Sequence, residues 1–144
     1  MRLHDRTFLL LGGTGGIGQA LIGPLVECGA RVIVATRHPE RLEKRAGVSP
    51  VHLELASPEL DRQLQQLSEV YPDIDGVIHC AGQNRFAALD AMAVSDLDAQ
   101  LMVNLRSAML VARHFTPRFR KAGVGALVLV GSTFGSIGFP GYTA

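Results

Sequence analysis

The stretch Leu11-Gly12-Gly13-Thr14-Gly15-Gly16-Ile17-Gly18 decides how this chain folds, because it joins a predicted strand to a predicted helix. The apolar run Thr7–Leu11 before it reads as a buried strand. In such a turn Gly12 permits the sharp change of direction, Gly16 lets a pyrophosphate approach the backbone, and Gly18 lets the helix pack on the strand. The free amides and positive dipole end of the helix would then face the anion. A flexible glycine-rich loop is the alternative, and the order strand, turn, helix favours the binding site.

Strand-like and helix-like segments alternate along the whole sequence, a pattern typical of βαβ units with parallel strands. The strands are almost continuously apolar, which suits strands that are covered on both faces. We therefore expect α/β architecture, in which residues 1–144 form a single doubly wound parallel sheet of the Rossmann type. The five predicted strands are Thr7–Leu11, Arg31–Ala35, Val51–Leu55, Gly76–Cys80 and Ala126–Val130.

The first two longer helices are predicted from different signals. Gln19–Cys28 continues from the glycine turn, and Pro24 inside it predicts a bend. Ser57-Pro58-Glu59 offers a cap, a proline at the first helical position and an acid in the first turn. The apolar residues that follow at helical spacing are Leu60, Leu64 and Leu67.

The third long helix is predicted to begin at a capping box. Ser95 is followed three residues later by Asp98, and apolar residues then recur at helical spacing. Pro117 disfavours helical geometry in the residue before it, so the helix should end at about Thr116. The apolar stripe consists of Leu97, Leu101, Leu105, Met109 and Ala112.

Composition excludes several function classes. With 47% apolar and 19% charged residues, 144 residues suffice for one sizeable core. The net charge of +1, with basic residues spread along the chain, predicts no binding to nucleic acid, and no apolar run is long enough for a membrane span. Cys28 and Cys80 are too few for a disulfide framework and lack zinc-site spacing, so no metal site is predicted and we expect a cytoplasmic protein.

The end of the second strand indicates which nucleotide would bind. An acid there would bind the ribose 2′-hydroxyl of NAD, but the residues are Ala35-Thr36-Arg37-His38. The Arg37 guanidinium suits a 2′-phosphate through paired donors, so NADP(H) is the predicted cofactor. Arg37 could instead lie on the solvated face of a short helix beginning near Pro39. We favour that solvated face for Arg41 and Arg45, but phosphate contact for Arg37.

The order Gly-x-x-x-Gly-x-Gly resembles the glycine turn of the short-chain dehydrogenase/reductase family, and the resemblance extends over essentially the whole chain. It implies an oxidoreductase that transfers a hydride between NADP(H) and a carbonyl or alcohol substrate. It also implies a homo-oligomer, because relatives assemble through the helix that contains Asn104 and the one after it. The cofactor-binding residues that we predict are Gly12, Thr14, Gly16, Ile17, Gly18, Arg37, Glu54, Leu55, Ala81 and Gly82.

Two of these positions depart from the family pattern. Glu54 looks like the carboxylate that contacts adenine at the end of the third strand, where the family more often has Asp; an ordinary solvated charge is the alternative. His79-Cys80-Ala81-Gly82 resembles the family's Asn-Asn-Ala-Gly segment only in its last two residues. If the missing asparagine ties neighbouring strands together, Cys80 can replace it only weakly.

The resemblance also implies two catalytic residues. Val103-Asn104-Leu105-Arg106 resembles the segment whose asparagine helps to hold a water in a proton relay, and an exposed or locally bonded Asn104 is the alternative. Gly131-Ser132-Thr133-Phe134-Gly135-Ser136 looks like the catalytic serine loop, with Ser132 hydrogen-bonding the substrate carbonyl. Thr133 and Ser136 are second choices for that role.

The catalytic tyrosine and lysine of the family have no counterpart in the sequence. Their spacing from the serine would place the Tyr immediately after Ala144; Tyr142 lies too close to Ser132, and the last lysine is Lys121. We therefore expect residues 1–144 to be inactive alone and to belong to a longer enzyme. A deliberately shortened chain and a gene product that ends at Ala144 are the alternatives, and a catalytically silent NADP-binding sensor or scaffold is the rival function.

Overall fold

The computed structural model describes residues 3–133, and a five-stranded parallel sheet forms its centre. The strand order is β3-β2-β1-β4-β5, so the chain starts in the middle, runs to one edge and then crosses to the other side. This confirms the doubly wound α/β fold and places the topological switch point between β1 and β4. The strands are β1 (Thr7–Leu11), β2 (Arg31–Thr36), β3 (Val48–His52), β4 (Ile74–His79) and β5 (Ala126–Leu129).

Four α-helices cover the faces of the sheet. Short 3-10 turns occur at Pro39–Arg41 and Leu89–Ala91, and a wide π turn (Met102–Arg106) separates the last two helices. No helix within residues 3–133 combines the length and the apolar character that crossing a membrane requires. The helices are α1 (Gly16–Glu27), α2 (Leu60–Val70), α3 (Val94–Leu101) and α4 (Ser107–Ala122).

Both faces of the sheet are buried at its three central strands, β2, β1 and β4, which explains why these strands are continuously apolar. The edge strands β3 and β5 are largely exposed, although the sequence predicted strands covered on both faces. Successive residues of β1 point to opposite faces: Leu9 packs into the core beneath α2 and α4, and Leu10 into the core beneath α1. Both leucines are fully buried. Each such burial contributes about 1.5–3 kcal/mol to stability, so strand alternation alone anchors β1 in the centre of the domain.

The third strand lies three residues earlier than predicted. β3 covers Val48–His52 instead of Val51–Leu55, because its pairing with β2 aligns Val48 with Val32 and His52 with Thr36. Glu54 therefore lies in the loop beyond the strand and not at the strand end. The other strand boundaries agree with prediction to within two residues.

The predicted helix starts at the two serines are wrong. α2 begins at Leu60 with Glu59 at the cap position, and the Ser57 hydroxyl accepts the Glu59 amide at 3.1 Å in the turn before the helix. α3 begins at Val94 with Ala93 at the cap position, which leaves Ser95 inside the helix with no capping bond.

The prediction that the last helix ends near Thr116 is also wrong. α4 continues through Pro117 to Ala122, where Gly123 adopts φ +71° and terminates it. An interior proline costs about 3 kcal/mol. Phe115 is fully buried two turns before the end and its ring stacks on Phe119 at 5.9 Å, so packing on both sides of the proline maintains the helix. Pro24 likewise lies inside α1, and the bend predicted there stays a prediction.

The apolar stripe predicted for the last helices faces outward over most of its length. Leu101, Leu105 and Met109 are 43%, 54% and 63% exposed. The inner face instead carries Ser107, Val111 and Phe115, which are fully buried at a spacing of four residues. The predicted helical spacing is therefore confirmed, but the residues that face the core are on a different face of the helix from the predicted stripe.

Candidate functional site

A crevice of about 560 Å³ opens at the carboxyl ends of the strands, around the switch point between β1 and β4. Ligands of open α/β sheets bind at this position. Seven of the ten predicted cofactor residues line the crevice, and the other three, Gly16, Ile17 and Gly18, lie in the first turn of α1. The seven lining residues are Gly12, Thr14, Arg37, Glu54, Leu55, Ala81 and Gly82.

The glycine turn is shaped by backbone contacts that exclude side chains. Gly12 adopts φ +85°, and a Cβ on it would lie 2.6 Å from the Ala81 Cα. A Cβ on Gly18 would lie 2.6 Å from the Gly13 Cα, so the helix packs directly on the turn. Gly15 occupies the cap position of α1, and no side chain there forms a capping hydrogen bond with the first amides of the helix. The start of α1 is therefore an uncapped, backbone-lined concavity suited to an anion.

Two threonines connect the glycine turn to the end of β2. The Thr14 and Thr36 hydroxyls lie 3.4 Å apart, and the Thr36 hydroxyl also accepts the His38 amide at 3.1 Å. Arg37 lies between Thr36 and His38, which this second hydrogen bond connects. The Arg37 side chain is exposed on the crevice wall. Among residues 3–133 no carboxylate forms an ion pair with Arg37. Its guanidinium is thus presented to a ligand beside the glycine turn.

The other two arginines of this segment differ in position. Arg41 is largely exposed, as expected for a solvated face, yet it also lines the crevice, a contact that the sequence did not predict. The Pro39–Arg41 3-10 turn places it there. Arg45 instead approaches Glu27 of α1 at 3.8 Å, outside the crevice.

Glu54 and Leu55 reach the crevice from the loop after β3. One carboxylate oxygen of Glu54 accepts the Ala56 amide at 3.1 Å, which shapes the turn. The carboxylate therefore stabilises its own loop in addition to lining the crevice wall.

Asn104 lies in the π turn and binds the segment that follows β4. Its side-chain oxygen accepts the Gln83 amide at 2.9 Å and its side-chain nitrogen donates to the Gln83 carbonyl at 2.7 Å. Gln83 and Val103 line the crevice, whereas Asn104 does not. The local bonding that was the alternative for Asn104 is present, and its catalytic role stays a prediction.

A family model described as short chain dehydrogenase matches residues 6–144, nearly the whole chain. The chain belongs to the short-chain dehydrogenase family. It is 32% identical over 151 residues to an uncharacterized oxidoreductase of Mycobacterium tuberculosis, covering 99% of this chain and 56% of that protein. It is 31% identical over 152 residues to the 3-oxoacyl-[acyl-carrier-protein] reductase FabG of Thermotoga maritima, covering 99% of this chain and 62% of that protein.

The structure leads to the same family. A gluconate 5-dehydrogenase from Burkholderia cenocepacia, solved in complex with NADP and tartrate, superposes with a TM-score of 0.86 at 26% identity. The match covers 98% of this chain and 59% of that one. The present chain thus spans little more than half the length of the short-chain dehydrogenases that it matches.

The segment after β4 departs from the family's Asn-Asn-Ala-Gly pattern in this short-chain dehydrogenase. The Cys80 thiol donates to the Leu11 carbonyl at 3.1 Å and so joins β4 to β1 through a weak donor. Burial raises the pKa of the Cys80 thiol, which keeps it protonated and unreactive near neutrality. Cys80 thus serves here as a strand-linking donor, and its thiol lines the crevice without being activated.

His79 lies behind the crevice wall, and its partner was not predicted from the sequence. Its ring is buried at the end of β4, and Nε2 lies 2.7 Å from the Ser107 hydroxyl at the start of α4. Burial lowers the pKa of His79, so the ring is neutral near pH 7. A histidine ending an otherwise apolar strand was the available signal, but its partner lies 28 residues away.

Ser132 follows β5 in this short-chain dehydrogenase. The Val130 amide donates to the His79 carbonyl at 2.9 Å, which carries the pairing of β4 and β5 one residue further toward Ser132. Ser132 is exposed and does not line the crevice wall formed by residues 3–133. Its substrate-binding role stays a prediction, and Ser136 and Tyr142 lie outside the described residues.

Proposed function

We propose that this chain is the nucleotide-binding part of an NADP-dependent oxidoreductase that exchanges a hydride with a carbonyl or alcohol substrate. The observation that carries the proposal is that one crevice combines a glycine turn, which has no room for further side chains at Gly12 and Gly18, with Arg37, which forms no ion pair within residues 3–133. A pyrophosphate needs backbone donors and close approach, and a 2′-phosphate needs a cation beside them. The crevice offers both.

The residues present fit such a cofactor. The first turn of α1, with Gly16, Ile17 and Gly18, would bind the pyrophosphate, and Glu54 and Leu55 would contact the adenine. NADP(H), when bound, supplies or accepts the hydride. The backbone at Ala81 and Gly82 leaves room for the rest of the cofactor, because neither residue has a side chain larger than methyl.

On the substrate side, Ser132 would hydrogen-bond the reacting oxygen. Asn104 would help to hold a water in the proton relay. Its two bonds to Gln83 would keep the adjoining loop in place. A tyrosine of ordinary pKa, about 10, is a poor acid near neutrality without a neighbouring cation. Since Tyr71 is followed four residues later by Asp75 and no lysine follows Tyr142, we expect residues 1–144 alone to bind NADP(H) without turnover.

Arg37 is the residue on which the preference for NADP depends. A bidentate, charge-assisted contact to phosphate is worth about 1.5–3 kcal/mol, or roughly 10- to 150-fold in affinity. The related gluconate 5-dehydrogenase was solved with NADP, which supports the same choice here.

The test is titration of NADPH and NADH against Arg37→Asp, followed by cofactor fluorescence. We expect the affinity for NADPH to fall by roughly 10- to 150-fold, with no comparable loss for NADH. Arg45→Asp is the matched control, because Arg45 belongs to the same segment but approaches Glu27 outside the crevice. An unchanged preference in Arg37→Asp would show that the NADP assignment is wrong.

Turnover separates an enzyme from a silent NADP-binding module. The protein of full family length should oxidise NADPH in the presence of some members of a panel of small ketones, and residues 1–144 should not. Binding without oxidation of NADPH by the longer protein would favour the sensor or scaffold.

We also propose that the protein is a homo-oligomer that assembles through the outer face of α3 and α4. The exposed Leu101, Leu105 and Met109 form an apolar stripe there. Light scattering should show a particle larger than one chain, and Leu105→Glu should reduce its mass, because a charge cannot be buried unpaired at an interface. A monomeric wild-type protein would contradict this assignment.

A further inference from the structure

Three polar side chains on successive turns of the α3–α4 helix bind the last residue of β4 and the segment that follows it. Gln100, which is buried, accepts the Arg85 amide at 3.0 Å through its side-chain oxygen. Asn104 binds both backbone groups of Gln83. Ser107 binds the His79 ring. The helix is therefore a template for residues 79–85, the segment that forms one wall of the crevice.

The direction of the hydrogen bonds at Ser107 can be derived. Its hydroxyl donates to the Val103 carbonyl one turn earlier, and a carbonyl can only accept. The single hydroxyl proton is thus committed, so Ser107 must accept from His79, and the neutral ring carries its proton on Nε2. The result is a directed chain from the imidazole N–H through the hydroxyl to the π turn.

This chain of bonds lies where the helix is least regular. The π turn spans Met102–Arg106, and such wide turns are rare and occur mainly as single-turn interruptions. A Ser side chain bonded four residues back tends to bend a helix. Both His79 and Ser107 are buried, at 3% and 0% exposure. Removing the Ser107 hydroxyl would therefore leave the buried His79 N–H without this acceptor, at a cost of about 1–3 kcal/mol.

We propose that His79 and Ser107 are positioning residues: their buried hydrogen bond fixes the π turn against the end of β4 and so sets where Asn104 holds Gln83 at the crevice. Neither residue lines the crevice or needs to touch the cofactor. The affinity readout rests on the proposed nucleotide binding, whereas the structural readout does not.

The experiment compares variants with and without the donor. His79→Phe keeps a planar ring but removes the N–H, and His79→Gln restores an amide N–H at a similar reach. Ser107→Ala breaks the chain at its middle. Ser68→Ala is the matched control, because Ser68 and His114 form the same kind of pair at 2.8 Å between α2 and α4, away from the crevice.

Two quantities are measured for each variant: hydrogen exchange of the Gln83 amide relative to that of Leu10 in β1, and NADPH affinity. We expect exchange at Gln83 to accelerate about tenfold or more over Leu10 in His79→Phe and Ser107→Ala, with NADPH affinity falling several-fold. His79→Gln should recover most of both, and Ser68→Ala should change neither.

Equal acceleration at Gln83 and Leu10, or no change at Gln83, would overturn the proposal, because the pair would then serve only global stability or nothing. If His79→Phe does not fold, the comparison of Ser107→Ala with Ser68→Ala decides the question. If the wild-type protein binds no NADPH, the proposed function fails while the exchange ratio still tests the positioning role.

Discussion

The two sides of the crevice are built by different means. On the β1–β2 side, the wall is backbone: the glycine turn excludes side chains, and Thr14 and Thr36 join it to the residues around Arg37. On the β4 side, the wall is held by side chains from a distant helix, through the pairs of His79 with Ser107 and of Gln83 with Asn104. The β1–β2 side depends on the space left by the glycines. The β4 side depends on hydrogen bonds that the loss of a single donor or acceptor atom would remove.

The largest effect should come from filling the backbone side. Gly18→Val places a branched side chain against the Gly12 carbonyl and the Gly13 Cα, which are backbone atoms that cannot move aside. We expect the free energy of unfolding in urea to fall by about 3 kcal/mol or more. A loss below about 1 kcal/mol would mean that the helix and turn can separate at little cost.

Gly16→Ala should separate binding from folding on the same side. A Cβ at Gly16 would meet nothing within 4 Å, and alanine suits a helix better than glycine, so stability should be unchanged or slightly higher. The added methyl would stand where the pyrophosphate approaches the backbone, and we expect NADPH affinity to fall by about tenfold. Unaltered affinity would show that the phosphate does not bind at this turn.

The smallest effect should be a dependence of stability on pH that arises on the β4 side. Burial lowers the pKa of His79 below its unfolded value of about 6.5, so the unfolded chain binds the proton more readily. Stability should therefore be full above about pH 6.5 and decrease as the pH falls below it. His79→Gln should flatten urea midpoints measured between pH 7.5 and 5.

His114 provides the internal comparison for that measurement. Burial, with help from Arg118, also lowers its pKa, so some pH dependence should remain in His79→Gln. Removing this remaining pH dependence needs a second substitution, His114→Gln. A pH profile identical in the wild-type protein and His79→Gln would show that His79 is not kept neutral by the fold.

Sequence-based prediction was more successful on the β1–β2 side of the crevice than on the β4 side. The strand, the glycine turn and the helix after it are contiguous, so their order could be predicted from the sequence. The predicted positions of Gly12, Thr14 and Arg37 at one site are confirmed, because all three line the crevice. Helix starts at Ser57 and Ser95 and the stop before Pro117 were mispredicted. Local capping and proline preferences are worth about 1–3 kcal/mol, and at Pro117 the burial of Phe115 outweighs the proline preference.

The amino-acid sequence by itself determined the α/β alternation, the glycine turn between β1 and α1 and the cation at the end of β2, because these depend on residues that are neighbours along the chain. Only the tertiary structure decided the inner face of the last helices, the crevice contact of Arg41 and the bond between His79 and Ser107. Those features join residues that are far apart in sequence, and each becomes defined only when the parallel strands bring the elements together.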